Sequence, residues 1–157
     1  MSEGNGQFRI RKAVPSDADD LIRLDEKVTG MRKTEYWRDL FKRLRARPPA
    51  DLFIFLAEAE TGKESSRRVL GFVIGEARAW EFGSAKCGWV FGIGVDPKAR
   101  EEGIGEALLA RISESFLAAG VSTLRTMVAR DNHLLMSFFR SEGMTAGPYL
   151  QLEKELD

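Results

Sequence analysis

The stretch from Val90 to Leu109, VFGIGVDPKAREEGIGEALL, concentrates more chemistry than any other part of this chain. An apolar run feeds a short loop with glycines at 103 and 105, and helical periodicity starts there. Glycine lets main-chain amides come close to a ligand. A helix N-terminus adds unpaired N–H groups and a partial positive charge. Together they suit an anion such as a phosphate or pyrophosphate. Plain turn chemistry also puts Gly-x-Gly at helix starts, so the pattern needs a second signal. Two nucleotide motifs are excluded. No G-x-x-x-x-G-K-[ST] loop is present, and Gly103-Ile104-Gly105 is followed by Glu106, Ala107 and Leu108 with no third glycine.

Candidates for moving protons are few. Period-two alternation puts Leu70, Phe72, Ile74 and Glu76 on one face of a strand, so a carboxylate closes an apolar series. Loss of hydration at a carboxylate favours its protonated form, the setting of a general base. The alternative is a strand emerging into water, with Glu76 paired to Arg78. Glu81, in the next turn, is a weaker candidate. His133, the only histidine, reads as a solvent-facing residue in the first turn of a short helix. Cys87, the only cysteine, reads as a small apolar strand residue without a set of basic partners in its sequence neighbourhood to activate it. A lone cysteine excludes an intramolecular disulfide and a cysteine-rich zinc site, and a lone histidine argues against a His-based one. No metal is expected.

The elements that must position these residues follow from 157 residues, 43% hydrophobic and 31% charged, which is ordinary globular composition. One domain over 1–157 is expected, with 1–6 a loose polar tail. Twenty-four basic residues balance twenty-four acidic ones, which argues against a nucleic-acid partner. Nine of the basic residues fall in 23–47 against four acids. That reads as a solvated helical face, or else as a site for an acidic partner. Tyr36 and Trp37 lie within it. No apolar run nears the roughly 20 residues of a membrane span. The opening MSEGNGQ has no hydrophobic signal-peptide core, so a cytoplasmic location without a membrane partner is expected.

Along the chain a strand is predicted over about 7–14. A helix starts near Pro15–Ser16, where Ser16 and Asp19 resemble a capping box, and runs to about Val28. A second helix covers 34–46 and is stopped by Pro48-Pro49. Strands follow over 52–59, from Val69 to about Trp80 after a polar turn at 60–68, and over 88–95. A helix then carries Ile104, Leu108, Ile112 and Phe116 at four-residue steps and ends at Gly120. A strand over 123–129 precedes a short helix over 134–141, capped by Asp131 or Asn132 and stopped at Gly143. Tyr149, Leu150 and Leu152 are placed in a final strand. The hairpin should be antiparallel and the unit around 89–129 a right-handed parallel crossover, so the sheet is mixed.

Two spaced patterns now coincide. Val95-Asp96-Pro97, then Arg100-Glu101-Glu102-Gly103-Ile104-Gly105, then Leu108-Leu109, resembles motif A of the GCN5-related N-acetyltransferases, the GNAT family. Its loop, Gln/Arg-x-x-Gly-x-Gly/Ala, is met by Arg100, Gly103 and Gly105. A second family pattern is met by Asn132, Phe139, Gly143 and Met144, and the element order matches over essentially the whole chain. The resemblance implies an α/β fold of the α+β type: a mixed, mostly antiparallel sheet in which two parallel strands splay apart around acetyl-CoA. Carried over by position, amides of Arg100, Glu101, Gly103, Ile104, Gly105 and Glu106 hold the pyrophosphate. Main-chain groups of Ile93 and Val95 pair with the pantetheine arm. Asn132 contacts that arm, and Phe139 lies near the sulfur. The implied activity is transfer of an acetyl group from acetyl-CoA to a primary amine (a protein N-terminus, a lysine or a small amine) by direct attack in a ternary complex.

Two departures bear on this. Glu101-Glu102 stand where many members carry a basic residue. Phe139 stands where many have a tyrosine that protonates the leaving thiolate, a role that would pass to Tyr149 or Ser137, or be dispensable for a thiol that leaves readily. The competing reading is an acyl-CoA-binding sensor that has lost catalysis. The acceptor and the oligomeric state, a homodimer included, are left open by the sequence.

Overall fold

The computed structural model describes residues 8–46, 51–60, 68–79 and 81–157. The expected tail at 1–6, the Pro48-Pro49 stop, most of the polar turn and Trp80 lie outside the described residues. Two compact units are formed, Met1–Met127 and Val128–Asp157.

The first unit contains β1 (Phe8–Lys12), α1 (Ala18–Thr29), α2 (Thr34–Ala46), β2 (Leu52–Ala59), β3 (Val69–Arg78), β4 (Cys87–Val95), α3 (Ile104–Ala118) and β5 (Leu124–Thr126). The strands lie in the order β1-β2-β3-β4-β5. The first three pairings are antiparallel, and β4 runs parallel to β5. The mixed sheet and the parallel β4–α3–β5 connection are as expected.

α1 and α2 cover one face of the sheet. Leu21, Ile22, Leu24, Trp37, Leu40 and Phe41 pack with Leu52, Ile54, Leu56, Phe72 and Ile74. Each such side chain contributes roughly 1.5–3 kcal/mol by leaving water. Trp37 is core, and its indole Nε1–H donates to the buried Asp25 at 2.9 Å. α3 lies on the other face, where missing side chains let it approach. A methyl group at Gly75 would stand 2.7 Å from Ile112 Cδ1 and 2.8 Å from Phe116 Cζ. At Gly88 it would meet the Phe116 ring at 2.6 Å.

The first helix begins differently from expectation. Pro15–Asp17 is a 3-10 turn, and Ser16 caps nothing. Asp17 does the fixing instead, because its carboxylate accepts the Val14 N–H at 2.7 Å and both Arg11 terminal nitrogens at 2.8 and 2.9 Å. A carboxylate tied to a neighbouring strand outcompetes a free hydroxyl one residue earlier. Arg11 also bonds the buried Glu58, whose pKa burial alone would raise but which Arg9 and Arg11 hold below its ordinary value.

In the second unit α4 spans His133–Ser141. Asn132, rather than Asp131, caps it by accepting the Leu135 N–H at 3.1 Å. At the other end Gly143 takes φ +85°. Its N–H donates to the Arg140 carbonyl, and the Met144 N–H donates to the Phe139 carbonyl, both at 3.0 Å. That pair of bonds is a Schellman cap. The predicted final strand is absent, since residues 145–157 form no strand and no helix. β5 likewise covers 124–126 rather than 123–129. A strand needs a neighbour to take its main-chain bonds, and propensity alone does not supply one.

Candidate functional site

The site is built on β4. Toward its start, the Gly88 N–H donates to the Thr123 carbonyl at 2.8 Å, and the Val90 carbonyl accepts the Thr126 hydroxyl at 2.7 Å. Main-chain groups of 88 and 90 therefore face β5. At the far end the Asp96 N–H donates to the Leu70 carbonyl at 2.8 Å, facing β3. Strict alternation would keep 88, 90 and 96 on the same side. The phase changes because Ile74 lies opposite Gly92 and Gly75 opposite Val90, so Phe91 is an extra residue in a β-bulge. Beyond it the main-chain groups of Ile93 and Val95 turn away from β3. The β4–β5 ladder stops at Val90–Thr126, so that edge has no strand partner among the described residues.

The loop after Val95 is set by Asp96, which stands in the motif A run without a role assigned to it. Its side chain is 5% exposed, accepts the Lys98 N–H at 2.9 Å and binds Arg68 at 2.8 Å and Lys27 at 3.1 Å. Burial alone would raise the carboxyl's pKa. The bonds from Arg68, the Lys98 amide and Lys27 outweigh it and bring the value to about 2. Asp-Pro ahead of a glycine loop was the available signal: aspartate readily bonds a backbone N–H two residues on. A 3-10 turn at Pro97–Ala99 follows, then extended Arg100 and left-handed Glu101 at φ +71°. Gly103, at φ +79°, is the N-cap of α3. The first bond of that helix runs from the Ala107 N–H to the Gly103 carbonyl at 3.0 Å. The amides of Gly103, Ile104, Gly105 and Glu106 thus have no acceptor one turn back, the usual state of a helix start. Gly103 and Glu106 are exposed, Gly105 is half-buried, and Ile104 anchors the turn in the core.

Glu76 lies opposite Trp89, next to the bulge. It does not end the apolar face bare. One oxygen binds Arg43 at 3.0 Å, and the other stands 3.7 Å from Arg78, which also reaches Glu81 at 3.6 Å. Tyr36 lies two turns before Arg43 on α2, and its phenol pKa is raised, chiefly by burial. Cys87 is buried and His133 is exposed. Asn132 and Phe139 belong to the second unit, where the former caps α4 and the latter is that helix's buried residue, beside Phe138 at 5.3 Å. The spacing Asn132, Phe139, Gly143, Met144 is therefore met in full by the capping of one short helix. No group of three or more His, Cys, Asp or Glu able to hold a metal occurs among the described residues. No helix among them is long and apolar enough to cross a membrane.

Solved structures share this fold. The aminoglycoside N-acetyltransferase AAC(6′)-Iy, solved with CoA, superposes with a TM-score of 0.80 at 14% identity over 99% of both chains. Aminoglycoside 6′-N-acetyltransferase AAC(6′)-Ih from Acinetobacter baumannii gives 0.76 at 14% identity, over 96% of this chain and 99% of that one. Glucosamine-6-phosphate N-acetyltransferase from Arabidopsis thaliana gives 0.70 at 21%, over 96% and 99%. The family model described as the acetyltransferase (GNAT) family matches residues 18–144, so the chain belongs to the GNAT family of acetyltransferases, which use acetyl-CoA as the acyl donor.

Proposed function

We propose that this protein transfers an acetyl group from acetyl-CoA to a primary amine, with the cofactor along the uncovered edge of β4 and its pyrophosphate on the loop 100–106. The observation that carries this reading is the conjunction of a phase-switching bulge at Phe91 and an unsatisfied helix start at 103–106, on one continuous segment. An extended chain with amide groups can pair with the edge at Ile93 and Val95, as a further strand would. A diphosphate at its end meets N–H groups of Gly103 to Glu106 and the positive end of α3. The residues present therefore fit acetyl-CoA, which when bound supplies an activated acetyl thioester.

The chain's own part is to orient and to move a proton. Main-chain N–H groups at the bulge end of β4 stand where a thioester carbonyl can be polarised. Glu76, close to that bulge, takes the proton of an ammonium acceptor at Oε2 while Arg43 holds Oε1. Attack by the amine is direct: the only thiol, Cys87, is buried and cannot carry an acyl group. The acceptor class is a primary amine on a small molecule or a protein. The acetyltransferases similar in fold are named for aminoglycosides and for glucosamine-6-phosphate. The single-domain organisation over 1–157 is part of the same proposal.

The test is release of coenzyme A thiol with a panel of amines. Saturable, amine-dependent release is the expected result, lost in Gly105→Asp. Tight acetyl-CoA binding with no amine-dependent release across the panel would replace the enzyme by the acyl-CoA sensor.

A further inference from the structure

Glu76 has two guanidinium neighbours whose donors it does not use up. Arg43 gives it one hydrogen bond, from Nη2 to Oε1 at 3.0 Å. Arg78 stands 3.7 Å from Oε2 and 3.6 Å from Glu81, too far in both cases for a hydrogen bond. A guanidinium carries five N–H donors in a rigid fork. Among the described residues, most donors of Arg43 and every donor of Arg78 therefore bond no protein group. Their side chains are 53% and 44% exposed, so neither fork is shut away from a ligand.

The surroundings add more donors and positive charge. α2 carries Arg38, Lys42, Arg43 and Arg45 against Glu35 and Asp39. Burial raises the Tyr36 phenol's pKa, Asp25 adds to that and Arg43 opposes it. The phenol thus lies within electrostatic reach of Arg43 and keeps its O–H at neutral pH. Open donors of this kind suit an anion, whereas a polycation needs acceptors. We propose that the acceptor is a primary amine that also carries an anionic group, a carboxylate or a phosphate, held by Arg43 and Arg78 while the amine reaches Glu76. The proposal rests on the reading of Glu76 as the base. Arginine forks match carboxylate and phosphate oxygens in pairs. Glu76 lies opposite Trp89 on β4, so this seat adjoins the strand proposed to hold the cofactor.

Four amines test this. Ethanolamine, β-alanine, phosphoethanolamine and ethylenediamine each carry a primary amine on an ethylene arm that ends in a hydroxyl, a carboxylate, a phosphate or a second amine. With acetyl-CoA saturating, kcat/KM for coenzyme A release should be about tenfold or more higher for β-alanine or phosphoethanolamine than for ethanolamine, the scale of one hydrogen bond to a charged group. Ethylenediamine should be poorer still. The better of the two anionic amines identifies the group that is read. The preference should collapse in Arg78→Gln and return in part in Arg78→Lys, whereas a purely structural role would lower all four rates together. The Arg78 Nε–H resonance gives a second readout, independent of turnover. With coenzyme A present it should shift saturably with the anionic amines and not with ethylenediamine. Equal kcat/KM across the four amines, or a preference for ethylenediamine, would overturn the proposal and leave the acetyltransferase reading intact. So would a resonance that neither anionic amine moves. A saturable shift without release from any amine would uphold the anion seat and count against the acetyltransferase reading instead.

Discussion

The Thr126 hydroxyl donates to the Val90 carbonyl at 2.7 Å, and this bond closes the parallel ladder one residue before the Phe91 bulge. It fixes where β4 and β5 part company. Thr126→Val keeps the branched shape and removes the donor. A hydrogen bond of this kind is worth about 1 kcal/mol. The expected outcome is a melting temperature lower by a few degrees and a KM for acetyl-CoA raised a few-fold, with the acceptor KM unchanged.

Asp96 should set both stability and cofactor affinity. Its carboxyl titrates near 2 in the folded chain against 3.8 when free. A depressed value means stability that is complete above about pH 4 and lost as pH falls toward 2. The amount is roughly 2 kcal/mol. Asp96→Asn preserves an acceptor for the Lys98 N–H but not the charge facing Lys27 and Arg68. Denaturant unfolding at neutral pH should show a loss of that order, and the difference from wild type should vanish near pH 2. The KM for acetyl-CoA should rise while kcat changes little. An equal fall in kcat alone would assign Asp96 some other task.

Glu101 holds a left-handed backbone that costs a non-glycine residue roughly 1–2 kcal/mol. Its charge stands beside the proposed diphosphate. Glu101→Gly keeps the turn and removes the charge. Acetyl-CoA should bind a few-fold tighter by calorimetry, with the gain shrinking at high salt as screening removes the repulsion. Weaker binding would mean that the loop presents another side to the ligand.

Much of this was legible in the sequence because the signals were local. Trp37, Leu40 and Phe41 repeat at helical spacing, and α2 forms over the predicted Thr34–Ala46. Gly103 and Gly105 announced the α3 start. What was not legible depends on partners distant in sequence. Asp17 replaces Ser16 because Arg11 on β1 reaches it. The Phe91 bulge exists only in register with β3. Arg43 and Glu76 are 33 residues apart, so no alternation rule could have paired them. The Tyr149–Leu152 run was readable as a strand pattern, yet residues 145–157 form neither strand nor helix.

Glu76→Gln separates a base from a paired surface acid. With an accepted amine, kcat/KM should fall roughly 10²-fold or more near neutral pH. The deficit should narrow at high pH, where the amine is already neutral, and acetyl-CoA binding should be unchanged. Full activity across pH would leave Glu76 as the partner of Arg43 only, with the proton departing through water or Glu81.

The account rests most heavily on where the cofactor lies, and residue-resolved amide exchange with and without acetyl-CoA tests that directly. Bound acetyl-CoA should slow exchange at Ile93, Val95 and Gly103 to Glu106, while Gly92 and Gly94, whose amides alternate toward β3, should change little. Protection at Gly92 and Gly94 with none at 93, 95 or 103–106, or protection confined to another part of the chain, would contradict it.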